Sequence, residues 1–127
     1  DTHFNQQKRQ GELLHQLAET IKVFMDDLKS NGRANEVLLM TFSEFGRRVE
    51  QNASGGTDHG KANCLFLAGG GLRYPGFQPV NLDLRNTEEG DLTFKTDFRS
   101  VYAAVLNSWL DIDPVEIIGR PFEPVLI

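Results

Sequence analysis

Between Gln10 and Ser30 the apolar residues Leu14, Leu17, Ile21, Phe24, Met25 and Leu28 recur at steps of three and four. That spacing lines them up on one stripe of an amphipathic helix, with the polar residues between them turned to water. Asn31-Gly32 follows, a pair suited to the left-handed residue that closes a helix. The pattern then changes. Val37-Leu38-Leu39-Met40-Thr41-Phe42 is a short, nearly unbroken apolar run, which predicts a strand covered on both faces in a parallel sheet. A helix leading into such a strand is an αβ unit. Ser43–Lys61 is polar and rich in glycine and reads as a long loop of the kind that carries function. Cys64-Leu65-Phe66-Leu67-Ala68 reads as a second buried strand, stopped by Gly69-Gly70-Gly71.

From Leu72 to Thr96 no period is sustained, and Gly, Pro, Asn and Asp accumulate, so an excursion with one or two short strands is expected. Asp97 then caps a helix whose inner face is Phe98, Val101, Tyr102, Val105, Leu106 and Trp109. Asp113-Pro114-Val115-Glu116 predicts a further short helix ending at Gly119, with an N-cap Asp, Pro in the first turn and Glu at the capping-box position. Past Pro121 and Pro124 the apolar tail Val125-Leu126-Ile127 is expected to pack on the body or join a sheet edge. The whole reads as one α/β domain over residues 1–127 with mostly parallel strands.

Composition narrows the function classes. At 127 residues the chain has the length of one domain, and 39% apolar with 24% charged residues sets disorder aside. A net charge of −5 and a pI near 5.1 argue against general affinity for nucleic acid, which needs clustered Lys and Arg. One or two local arginines can still recognise a specific anion. No stretch approaches the ~20 apolar residues that cross a bilayer. Cys64 has no partner for an internal disulfide and, in its apolar run, reads as a buried inert thiol.

Loops that follow parallel strands lie at the carboxyl edge of the sheet, where open α/β folds bind ligands. Glu44 follows the first strand directly; it is either a ligand in that crevice or a solvated carboxylate paired with Arg47 or Arg48. Gly55-Gly56-Thr57-Asp58-His59-Gly60 sets an oxygen and a nitrogen ligand among glycines, a pairing suited to zinc, manganese or iron. In Asp1-Thr2-His3 alternate residues of an extended segment face one way, so Asp1 and His3 form a third candidate group. Thr57 and Ser43 read as turn formers that bond their own backbone, and His15 as a surface residue.

These stretches, Asp1-Thr-His, Ser43-Glu-Phe-Gly-Arg47, Gly56-Thr-Asp-His-Gly60 and Asp97-Phe-Arg-Ser-Val-Tyr102, resemble in order the C-terminal half of the bacterial domain of unknown function 1501 family, which is related to sulfatases and to the alkaline-phosphatase-like superfamily. The resemblance implies part of a three-layer α/β/α alkaline-phosphatase-like fold and cleavage of phosphate or sulfate esters at a divalent metal centre, zinc foremost with manganese or calcium as alternatives. His59 then matches a metal-binding histidine of phosphopentomutases, and Asp1 and His3 match acidic and imidazole ligands at a strand end. Glu44 matches the Asp of an Asp-His metal pair, whose His position is taken by Phe45, so one of the two usual sites lacks a ligand or is rebuilt. Arg47 is the candidate for holding the anionic group. The nucleophile of the superfamily lies in an N-terminal half outside these residues. A small anionic ester or a sulfated glycan is the implied partner, along with completion by that N-terminal half or by a second copy, and the setting is outside a bacterial cytoplasm.

Overall fold

The computed structural model describes residues 1–76 and 83–127. Its longest element is helix α1, Gln6–Ser30, entered through Asn5 in the left-handed conformation (φ 45°). It closes as Asn31-Gly32 predicts: the Arg33 N–H donates to the Leu28 carbonyl at 2.8 Å across the left-handed Gly32. Of the apolar stripe, only Leu28 is buried; Leu14, Leu17 and Phe24 are exposed.

A single 3₁₀ turn, Ala34–Glu36, leads to strand β1, Leu39–Met40. The segment read as a long loop is a hairpin instead, strands β2, Gly46–Gln51, and β3, Thr57–Gly60. Strand β4, Leu67–Ala68, then runs back along β1, with Leu39 opposite Ala68 and Met40 opposite Leu67. Strands β5, Thr87–Glu88, and β6, Asp91–Leu92, form a second hairpin about Glu89-Gly90, both at positive φ.

The described strands therefore form three separate two-stranded antiparallel pairs. This corrects the expected fold class: there is no parallel sheet and no three-layer α/β/α alkaline-phosphatase-like arrangement among the described residues. A parallel partner for β1 would need a crossover of a dozen or more residues lying over the sheet. The chain after β1 folds on itself as the β2–β3 hairpin and returns antiparallel, a direction to which an apolar run is blind. Burial also falls short of what the apolar runs imply, since Phe42 is 76% exposed and Cys64 is exposed. Within the excursion expected over Leu72–Thr96, positions 77–82 lie outside the described residues.

These elements group into two compact units, one holding Asp1–Gly71 with the β5–β6 hairpin, the other dominated by Phe94–Ile127. In the second, helix α2, Phe98–Ala104, is capped by Asp97, which accepts the Arg99 N–H at 2.9 Å. It widens into a π-type turn, Val105–Trp109, where the Leu110 N–H reaches the Val105 carbonyl at 3.1 Å. Ala103 and Ala104 are buried, while Phe98 of the expected inner face is exposed. Helix α3, Pro114–Ile118, starts at the Asp113 cap and ends at left-handed Gly119, and the Val125 N–H reaches the Ser100 carbonyl at 3.4 Å without forming a strand. No helix among the described residues is long and apolar enough to cross a membrane.

Candidate metal centre

The β2–β3 hairpin has almost no apolar face, and its turn holds it together. The Asn52 side-chain oxygen accepts the N–H groups of Ser54 and Gly56, each at 3.0 Å, and the Asn52 N–H donates to the Gly56 carbonyl at 2.8 Å. In the ladder Gly46 stands opposite Gly60 and Arg47 opposite His59, so the last two share a face.

Residues 1–6 run along this turn. The Asn5 N–H donates to the Ser54 carbonyl at 3.1 Å and the Gln6 N–H to the Gly55 carbonyl at 3.0 Å. Asn52 Nδ2 donates to the His3 carbonyl at 3.1 Å, and Thr57 Oγ1 donates to Gln6 Oε1 at 2.7 Å. Thr2 and Gln6 are buried. The approach is close enough that a Cβ on Gly56 would overlap the His3 carbonyl oxygen, so this position needs glycine.

That docking brings Asp1 and His3 to His59. His3 Nε2 lies 3.0 Å from His59 Nε2 and 3.0 Å from Asp1 Oδ1, and His59 Nε2 lies 3.1 Å from Asp1 Oδ1. Each ring nitrogen carries at most one hydrogen, which can lie along only one edge of this triangle, so hydrogen bonds leave at least one edge unbridged. Three lone-pair donors meeting at one point suit a cation. With ligand bonds of about 2.0–2.2 Å, donors sharing one tetrahedral ion stand roughly 3.3–3.6 Å apart, a few tenths of an ångström wider than the 3.0–3.1 Å here. All three side chains are about half exposed, so the cluster opens to solvent.

The surroundings fix the donors. Arg47 donates from one Nη to Asp1 Oδ1 at 2.8 Å and from the other to the Thr57 carbonyl at 2.8 Å. Phe45 stacks on the His59 imidazole, with ring centres 3.5 Å apart and planes 11° from parallel. The Arg47 guanidinium also lies 5.7 Å from the Phe45 ring centre. Behind the hairpin, Asp91 is buried with Oδ1 lacking a hydrogen-bond partner, and Arg48 stands 3.8 Å away.

Among the residues singled out from sequence, Asp1, His3 and His59 converge, and Arg47 joins them through Asp1. Asp58 does not, because neighbours along a strand point to opposite faces; it accepts from Asn52 Nδ2 at 3.1 Å. Glu44 is exposed and stands outside the cluster. Ser43 bonds its local backbone as expected, donating to the Phe45 carbonyl at 2.8 Å, whereas Thr57 reaches Gln6 instead. Sequence reasoning missed Asn52 and Gln6. The one available signal was Asn52 placed four residues before Gly56 in a glycine-rich turn.

No curated protein and no solved structure matches the chain. The family described as Protein of unknown function (DUF1501) matches residues 1–78, a span that contains the whole donor cluster, the Asn52 turn, Phe45 and Arg47. Since that span is more than half of the 127 residues, the chain belongs to the DUF1501 family.

Proposed function

We propose that this chain carries a divalent-metal centre of a phosphate- or sulfate-ester hydrolase, with Asp1, His3 and His59 as its protein ligands. The observation that carries the reading is the convergence of three donor atoms at 3.0–3.1 Å on an open face. Two imidazoles and one carboxylate suit zinc or manganese better than calcium, which takes oxygen ligands. A bound divalent ion supplies positive charge for the oxygen charge that develops as such an ester is cleaved. Arg47 holds the Asp1 carboxylate and adds positive charge beside the same opening, which favours an anionic substrate.

Phe45 favours a second reading. Phe cannot coordinate a metal, so its ring beside His59, where the resemblance places a second ligand histidine, suits a protein that holds an anionic ester, such as a sulfated glycan, without turning it over. Titration calorimetry of this chain with zinc and manganese, followed by assays on aryl phosphates and aryl sulfates of the protein completed by the N-terminal half in which the resemblance places the nucleophile, separates the two. The first reading expects saturable metal binding that His59→Ala abolishes, together with metal-dependent turnover. Binding without turnover selects the second, and equal metal affinity in wild type and His59→Ala overturns the centre itself.

A further inference from the structure

Asp1 and His3 belong to an extended segment and His59 to a hairpin strand, so something must set one against the other. Two side chains bond to both, Arg47 at Asp1 and Asn52 at His3, and Asn52 is the one that holds the histidine's own residue. Its side-chain oxygen takes the N–H groups of Ser54 and Gly56, which builds the turn leading into β3. Its side-chain nitrogen donates to the His3 carbonyl at 3.1 Å and to Asp58 Oδ1 at 3.1 Å. With two donor hydrogens and two acceptor lone pairs, the amide is fully used. The two backbone N–H groups on Oδ1 and the carboxylate on Nδ2 also fix which way round the amide sits.

We infer that Asn52, oriented by Asp58, is the positioning residue that sets the His3 ligand against His59. The inference rests on the proposed metal centre for its consequence but not for its geometry. It gives the Asp58-His59 pair two separate tasks: His59 supplies a donor atom on one face of β3, and Asp58 on the other face holds the amide that anchors His3. Groups that orient ligands in this way are worth about 10- to 100-fold in metal affinity.

Asn52→Asp tests it, since a carboxylate keeps the acceptor that builds the turn and loses the donor to His3. Because the new carboxylate would also meet that of Asp58, the double variant Asn52→Asp/Asp58→Asn removes the repulsion while leaving the His3 carbonyl without its donor. Two measurements apply to the full chain: contacts between the His3 and His59 ring protons by nuclear Overhauser spectroscopy without metal, and zinc affinity by calorimetry. In wild type the ring centres, 4.7 Å apart, should give a cross-peak. Both variants are expected to lose it, and zinc affinity should fall about 10- to 100-fold in each. A cross-peak and affinity that return to wild type in the double variant overturn the inference, because Asn52 would then matter only through Asp58. A wild-type cross-peak lost in both variants, with no zinc binding by wild type, supports the positioning role and overturns the metal centre instead.

Discussion

His59 faces Arg47 across the β2–β3 ladder, Phe45 covers its ring, and Asn52 anchors the segment that brings His3 to it. Each contact needs the backbones close together, and Gly56 is where residues 1–3 press hardest on the turn. A Cβ there would lie nearer the His3 carbonyl oxygen than non-bonded atoms approach, and backbone cannot swing aside as a flexible side chain can. Gly56→Ala is therefore expected to displace residues 1–3 at a cost of about 1–3 kcal/mol. Zinc affinity should drop at least tenfold by calorimetry while the helix signal in circular dichroism stays at its wild-type level. Loss of helix in step with affinity would mean that the substitution unfolds the unit rather than moving the ligands. The close approach at the Gly56-Thr-Asp-His-Gly60 run was legible because glycine beside ligand-type residues signals it. The different fates of Asp58 and His59 were not, since neighbours in a loop can converge and neighbours in a strand cannot.

At the scale of elements, legibility followed the kind of physical signal each one carries. α1 was readable because a stripe at steps of three and four fits a helix and little else, and its end because Asn31-Gly32 meets a backbone requirement. β2 was not, since Gly-Arg-Arg-Val-Glu-Gln carries no alternation and is held by ladder and turn bonds. β1 and β4 were placed within their apolar runs, but their antiparallel pairing depends on the path between them. Asp97 was found as a cap by its residue type and position, and its chemistry adds a test. The Arg99 side chain, hydrogen-bonded to the Asp97 carboxylate, and then the Arg99 backbone N–H lower its pKa from 3.8 to about 2. A depressed carboxylate stabilises the folded form fully above 3.8, and the contribution fades as pH falls through about 2. The Asp97 carboxyl should titrate near pH 2 by nuclear magnetic resonance. Arg99→Gln should move the midpoint upward without reaching 3.8, because the backbone N–H remains; a midpoint already near 3.8 in wild type would remove the ion pair from the description.

Over the whole molecule, Leu28, Ala103 and Ala104 are the only apolar residues buried among those described, and Val23, Phe42, Phe94, Ile117 and Leu126 all stand in water. A domain of this length ordinarily removes about two thirds of its chain surface from solvent on folding. Because the denaturant slope m follows the area exposed on unfolding, urea should unfold this chain with a slope in the lower part of the usual range of about 1–3 kcal/mol/M. Metal binding enters the same experiment differently. Backbone hydrogen bonds and the Asn52 side chain dock residues 1–6 on the hairpin, so zinc would tie down groups that folding has brought together and bury almost no further apolar area. At a free zinc concentration of about a hundred times Kd the folded form should gain about 2.7 kcal/mol. With a slope of about 1–2 kcal/mol/M, that gain moves the urea midpoint upward by roughly 1–3 M, since the shift is the stabilisation divided by m. The expected outcome is a midpoint displaced well upward with m unchanged in wild type, and no displacement in His59→Ala. A slope that rises with zinc would instead mean that the ion folds surface beyond the ligand cluster, placing metal binding before completion of the fold.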